Sequence, residues 1–234
     1  WFLDENDLER EGFLANGRGN FSYKNHDSDK SVDFQLANSK VKFLSSSLVD
    51  TWEKQNANIK EEFEIWCEKQ FWLDDHSIFM ELKIQNNDLP WWEWPDKYAV
   101  RDKKELVNWK KNNQRELLGH NLLQWHLDRQ WKSIRKLAKN LGISLFGDVP
   151  FYVSKDSADV WSNRSLFSIL TNSNTYLQSG VPPDYFSETG QLWGNPVYRW
   201  SRHKAGKYRW WRKRISRHLE QVDFLRLDHF RAFE

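Results

Sequence analysis

One apolar face, closed by a glycine and followed at once by a short apolar run ending in an acid, sets the strongest limit on what this sequence can fold into. From Leu118, the residues Leu123, Leu127, Trp131, Ile134, Ala138 and Leu141 hold helical spacing for about five turns. Gly142 is placed to end that helix. Ile143-Ser144-Leu145-Phe146-Gly147-Asp148 then fits a buried strand that terminates in a carboxylate. The same order returns downstream, with a helix over 207–220 and a run from Val222 to Asp228. Two helix–turn–strand–acid units favour a parallel sheet. In parallel α/β folds the chemistry gathers at the carboxyl ends of the strands, whether the sheet is open or closed into a barrel. Asp148 and Asp228 both fall there.

The remaining organisation is coarser. The first 50 residues are polar, with Gly12, Gly17 and Gly19 and an Asn/Ser/Asp-rich stretch through Ser31, and read as a loop or subdomain edge. Ile59, Phe63 and Trp66, then Ile78, Phe79 and Leu82, give two helices that stop at Trp91-Trp92-Glu93-Trp94-Pro95. Nine Lys/Arg and no acid lie between Arg199 and Arg217, although the whole chain is nearly neutral at +2. Such a run serves either a phosphate-binding patch or the solvated face of an amphipathic helix. Trp211, Ile215 and Leu219 at i, i+4 and i+8 favour the helix.

Several classes are excluded. No window approaches the ~18 consecutive apolar residues of a membrane span, and no secretory signal opens the chain. Cys67 cannot form an internal disulfide and reads as a small core residue of a reducing compartment. The seven histidines show no ligand spacing, so no metal is expected. Phosphate-loop, dinucleotide, serine-hydrolase and zinc-peptidase motifs are missing. A start at Trp1 and a stop just past an apolar run suggest an excerpt of a longer protein.

Two segments could carry chemistry. Along a strand, Arg226 and Asp228 point to one face. A guanidinium keeps a carboxylate ionised, as a covalent glycosidase nucleophile requires, and His229 follows where it could bond a sugar hydroxyl. A structural ion pair accounts for the same residues equally well. The stretch from Gly180 to Pro196 is too rich in glycine and proline for a helix or a central strand. Its Tyr185, Phe186 and Trp193 offer flat faces for sugar rings, and Gln191 and Asn195 offer hydroxyl partners; a packed connector would use the same residue types.

Gly147-Asp148-Val149-Pro150-Phe151-Tyr152-Val153, Asp156-Ser157-Ala158-Asp159-Val160-Trp161, the 180–196 stretch and Arg226-Leu227-Asp228-His229-Phe230-Arg231 together resemble the 4-α-glucanotransferases, also called amylomaltases or disproportionating enzymes, relatives of the α-amylases. Phe71-Trp72-Leu73-Asp74-Asp75 and the Trp91 to Pro95 break look similar too. The resemblance implies an α/β fold, part of a (β/α)8 barrel with an inserted helical subdomain and incomplete at both ends. Residues 1–115 would supply the helical insert and 116–234 the central strands and helices. It further implies retaining transfer of α-1,4-glucan segments between malto-oligosaccharides, with no cofactor, nucleic acid or membrane. By family motif Asp228 is the nucleophile, and Arg226 and His229 position it and the sugar. Asp156, Trp161, Gln191, Trp193 and Asn195 meet substrate, Asp148 supports a strand end, and Tyr185-Phe186 is a lid over the acceptor site. The family's acid/base Glu lies after residue 234, so the isolated chain is expected to be inactive. An α-glucan hydrolase and a non-catalytic glucan-binding fragment are the alternatives.

Overall fold

The computed structural model describes residues 1–14, 32–170, 173–183, 185, 187–228 and 230–233. Its helices and strands, in chain order, are α1 (Glu5–Arg10), α2 (Phe34–Trp52), α3 (Ala57–Lys69), α4 (Leu73–Gln85), α5 (Asp96–Ala99), α6 (Lys103–Asn112), α7 (Gln114–Asn140), β1 (Phe146–Val149), α8 (Ala158–Ser162), β2 (Gln178–Val181), β3 (Gln191–Pro196), α9 (Trp200–Ala205), α10 (Arg209–Leu219) and β4 (Phe224–Leu227). These residues form two compact units that interleave along the chain. One comprises 1–78 with 108–133, the other 79–107 with 134–234.

The first unit is helical. Part of the stretch that reads as irregular in sequence is the 19-residue helix α2. Asp33 starts it by accepting a hydrogen bond from the Leu36 N–H at 2.9 Å. Its inward face is partly disguised by small polar residues: Leu44, Leu48 and Trp52 are buried beside Ser47 and Thr51, and the Thr51 hydroxyl donates to the Phe13 carbonyl at 2.9 Å. Asn56 caps α3 in the same way, through the Ile59 N–H. The core is aromatic. Phe63 packs edge-on against Trp52 at 4.8 Å and against Trp125 of α7 at 5.4 Å between ring centroids. Burying one such ring contributes about 2–3 kcal/mol. The buried Asp128 carboxylate is paired, accepting from the Trp66 indole at 2.9 Å and from Lys132 at 2.8 Å, as a charge removed from water must be.

The second unit contains the expected parallel pairing. The helix α7 ends as its sequence indicates: Gly142 takes φ +70°, and the Ile143 N–H reaches back to the Ala138 carbonyl at 2.9 Å, a glycine-closed helix end. The strand that follows pairs over a shorter span than 143–148. β1 runs parallel to β4 with Phe146 opposite Phe224, Asp148 opposite Arg226 and Val149 opposite Leu227. Ahead of the pairing, the Asp223 carboxylate takes the Leu145 N–H at 2.8 Å and Arg135 at 2.6 Å, fixing the register.

The basic run divides. Arg202, Lys204, Lys207, Arg209 and Arg212 are exposed, but Arg199 donates to the Ile169 carbonyl and Arg214 to the Pro150 carbonyl. Trp211 is buried whereas Leu219 is half-exposed, so the apolar stripe on α10 is buried only at its first residue. The 180–196 stretch is a hairpin rather than a free loop. β2 and β3 pair antiparallel with an irregularity between Gln178 and Gly180. A two-stranded ribbon tolerates Pro182 and Pro183 in its turn and Pro196 at its end, where a central strand would not.

Candidate functional site

At the carboxyl ends of β1 and β4 the second unit has a cavity of about 330 Å³, lined by Asp148 to Tyr152, Trp193, Asn195 and Asp228. The parallel register produces it. Because Asp148 stands opposite Arg226, the guanidinium meets that carboxylate with two parallel bonds, Nε to Oδ1 at 2.6 Å and Nη2 to Oδ2 at 2.7 Å. The same Nη2 reaches Asp228 Oδ2 at 3.3 Å. Arg226 is thus a bidentate partner of Asp148 first and a longer-range neighbour of Asp228 second. Bonding to Asp148 pushes its pKa up, with help from the charges of Asp148 and Asp228. The Asp228 side chain is 56% exposed, so a ligand in the cavity can reach it.

The opposite wall is aromatic. Tyr152 lies nearly parallel to the buried Tyr198, 12° and 5.9 Å apart, and its ring centroid is 6.2 Å from Trp193. Partial burial raises the Tyr152 hydroxyl pKa. Trp193 is held at its edge by donating its indole N–H to Gln191 Oε1 at 3.0 Å. The hairpin can deliver these residues because Gly190 adopts φ +74°, and a Cβ there would lie 2.6 Å from the Val181 carbonyl oxygen.

Of the residues expected at a site, the structure brings Asp228, Trp193 and Asn195 to the cavity, with Arg226 bonded to Asp228 and Gln191 bonded to Trp193. It does not bring Asp156 or Trp161. Trp161 is fully buried, packed against Phe79 and Trp94, with its N–H given to the Tyr98 carbonyl and the Arg101 guanidinium 4.0 Å from its ring centre. A side chain with no accessible surface cannot meet a sugar, so its reading as a substrate contact is corrected to a core role. The Asp156 carboxylate is committed to Lys83 and to the Trp91 N–H; it anchors the 91–95 aromatic break to the chain beyond β1. Tyr185 is almost fully exposed and away from the cavity lining. Phe186, His229 and Glu234 lie outside the described residues.

Sequence reasoning passed over Tyr152 and understated Asp148. A signal existed: Tyr152 stands only three residues after the end of β1, where the chain leaves the strand and turns along the cavity. Among the described residues no group of three or more His, Cys, Asp or Glu could hold a metal ion, and no helix is long and apolar enough to cross a membrane. Paired carboxylates around a guanidinium, facing two aromatic rings and an amide, can hold a polyhydroxylated ring and attack an electrophilic carbon in it.

The wider architecture matches a solved amylomaltase from Streptococcus agalactiae in complex with acarbose, with a TM-score of 0.86 and 30% identity over 99% of this chain and 47% of that one. The fold is therefore part of a (β/α)8 barrel with inserted helices, β1 and β4 being two neighbouring barrel strands. A family model described as 4-alpha-glucanotransferase matches residues 4–234, and the chain belongs to that family. Relatives include the 4-alpha-glucanotransferases of Synechocystis sp., 36% identical over 100% of this chain and 46% of the relative, and of Clostridium butyricum, 34% identical over 100% and 48%. That of Thermus thermophilus is 39% identical over 78% and 37%. The chain spans about half the length of the curated relatives it matches, or less.

Proposed function

We propose that the protein carrying this sequence is a 4-α-glucanotransferase that moves α-1,4-glucan segments between malto-oligosaccharides. The retaining route has two displacements, the first leaving the glucan covalently attached to Asp228. The observation that carries the reading is the placement of Asp228: at the carboxyl end of a parallel strand, in an aromatic-walled cavity, with its carboxylate beside the Arg226 guanidinium. Tyr152 and Trp193 supply faces for pyranose rings, and Asn195 supplies an amide for hydroxyls. His229 belongs to this reading by motif alone.

A retaining enzyme uses a second carboxyl group, ~5–5.5 Å from the first, as proton donor and then base. Asp148 is unsuited to that task, because both of its carboxylate oxygens are taken by the Arg226 guanidinium. The proton donor is therefore assigned to another residue. No metal or organic cofactor enters the proposed reaction.

Trapping with a fluorinated maltosyl donor, followed by peptide mass mapping, tests the assignment. A label on Asp228 is expected. A label elsewhere, or none while turnover continues, would overturn it. Incubation with maltotriose separates transfer, which yields longer oligomers, from hydrolysis, which yields only glucose and maltose.

A further inference from the structure

Arg214 stands in the run of basic residues whose charge invites a surface reading, yet its head group points inward. Nη2 donates to the Pro150 carbonyl at 2.6 Å, and Nη1 to the Phe151 carbonyl at 3.4 Å and the Tyr198 hydroxyl at 3.2 Å. Tyr198 closes the figure by donating its own hydroxyl to the Phe151 carbonyl at 2.5 Å. Two consecutive carbonyls are therefore held by one planar fork, just where the chain leaves β1 and strand pairing no longer supplies their partners. The guanidinium is itself flanked by the rings of Trp210 and Trp211, 5.2 and 5.6 Å from their centres.

We propose that Arg214 is a positioning residue of the cavity: by fixing the Pro150 and Phe151 carbonyls it sets the Tyr152 ring against Trp193, and so the width of the slot into which a glucose ring must fit. The inference rests on the proposed glucan site but concerns a residue outside the cavity lining. Its physical basis is leverage. Fixing the peptide planes on the N-terminal side of Tyr152 limits where its Cα–Cβ bond can point, and the Tyr198 ring beneath it limits the rest. A lysine ammonium has donors enough but no planar fork to hold the two carbonyls in a fixed relative geometry. A displaced or mobile wall fits the ring less well and must be ordered when it binds, so the cost falls first on substrate binding.

The test compares Arg214→Lys and Arg214→Ala with the parent protein, measuring kcat and KM for maltotriose disproportionation, melting temperature, and amide hydrogen exchange in a peptide covering residues 150–155. Both variants are expected to raise KM about tenfold or more with a smaller change in kcat, because the freed Tyr152 wall must be ordered when the glucan binds. Exchange in that peptide should accelerate while peptides from 34–69 stay unchanged. Millimolar guanidinium should partly restore Arg214→Ala, and ammonium should not. Unaltered exchange at 150–155, or kinetics per folded molecule equal to the parent's, would overturn the proposal; a melting-temperature loss alone would reduce Arg214 to a structural residue. Should Arg214→Ala fail to fold, Arg214→Lys retains the charge and gives the same readouts. The kinetics are measured on the complete protein that carries this sequence; if that protein transfers no glucan, the proposed function fails, while the exchange measurement still decides whether Arg214 sets this wall.

Discussion

Lowering the pH from 7 to 5 should destabilise the protein by about 2 kcal/mol through one side chain, His126. The ring is buried in the first unit, 4.4 Å from Phe13 and 4.7 Å from Trp125 between centroids. Nδ1 lies 3.3 Å from the Arg129 guanidinium, which can only donate, so the imidazole proton is assigned to Nε2. That atom is buried and has no hydrogen-bond partner among the described residues. Burial, and secondarily the positive charge of Arg129, lower the pKa to about 3, against 6.5 in the unfolded chain. The unfolded state therefore takes up a proton that the folded state refuses. The stabilisation is complete above pH 6.5 and is lost as pH falls toward 3, by up to ~1.4 kcal/mol per pH unit. At pH 5 the unfolded imidazole is about 97% protonated and the native one is neutral, which gives the ~2 kcal/mol. His76, lowered to about 4 mainly by burial and then by His120, adds to the total slope. The measurement is accordingly a difference: urea unfolding of wild type and His126→Gln at pH 7 and pH 5, followed by tryptophan fluorescence. Wild type should lose about 2 kcal/mol more than the variant between the two pH values. Equal losses would show that His126 is hydrated or charged in the fold, and would refute the reasoning. The result also bears on catalysis, since an acid limb in the transferase profile below pH 5 would report unfolding of this unit as well as titration at the cavity.

Asp148→Asn should lower the transfer rate by at least about tenfold while leaving the melting temperature little changed, because it releases Arg226 from its main partner on an exposed strand end; steady-state kinetics beside a thermal scan checks both halves. Gly190→Ala should destabilise the hairpin by ~1–2 kcal/mol, from its φ of +74° and the blocked Cβ, and raise KM for maltotriose. Cys67, whose thiol is raised to about 11 by burial and then by Glu64, should react with iodoacetamide at pH 7.5 about 100-fold more slowly than a free cysteine peptide. Phe186→Ala should raise the ratio of hydrolysis to disproportionation, measured as glucose released against longer oligomers formed, and an unchanged ratio would remove the lid from the argument.

The α/β units were legible because each rests on local rules. The face of α7, the glycine that closes it and the acids at two strand ends are all visible in residue order, and the parallel pairing of β1 with β4 follows from them. The family, too, was legible from its motifs. The inward face of α2 was not, since Ser47 and Thr51 look solvent-facing until Thr51 is seen bonded to Phe13 across 38 positions. Trp161 shows the converse limit. An aromatic residue in a recognisable motif suits a core and a sugar site equally, and only its packing against Phe79 and Trp94 decides. Arg214 was hidden for a third reason: a run of cations averages its members, and which one turns inward depends on carbonyls some 63 residues away.

The sharing of one guanidinium between two acids has an electrostatic consequence for the proposed covalent step. Asp148, Arg226 and Asp228 together carry one net negative charge when both acids are ionised. Esterification of Asp228 would cancel it, leaving a neutral trio around the intermediate. Arg226 need not swing to follow that change, because its two short bonds are already to Asp148. The strand end could thus gain and lose a charge in every catalytic cycle with its counter-ion standing still, and little of the barrier would be consumed in rearranging it.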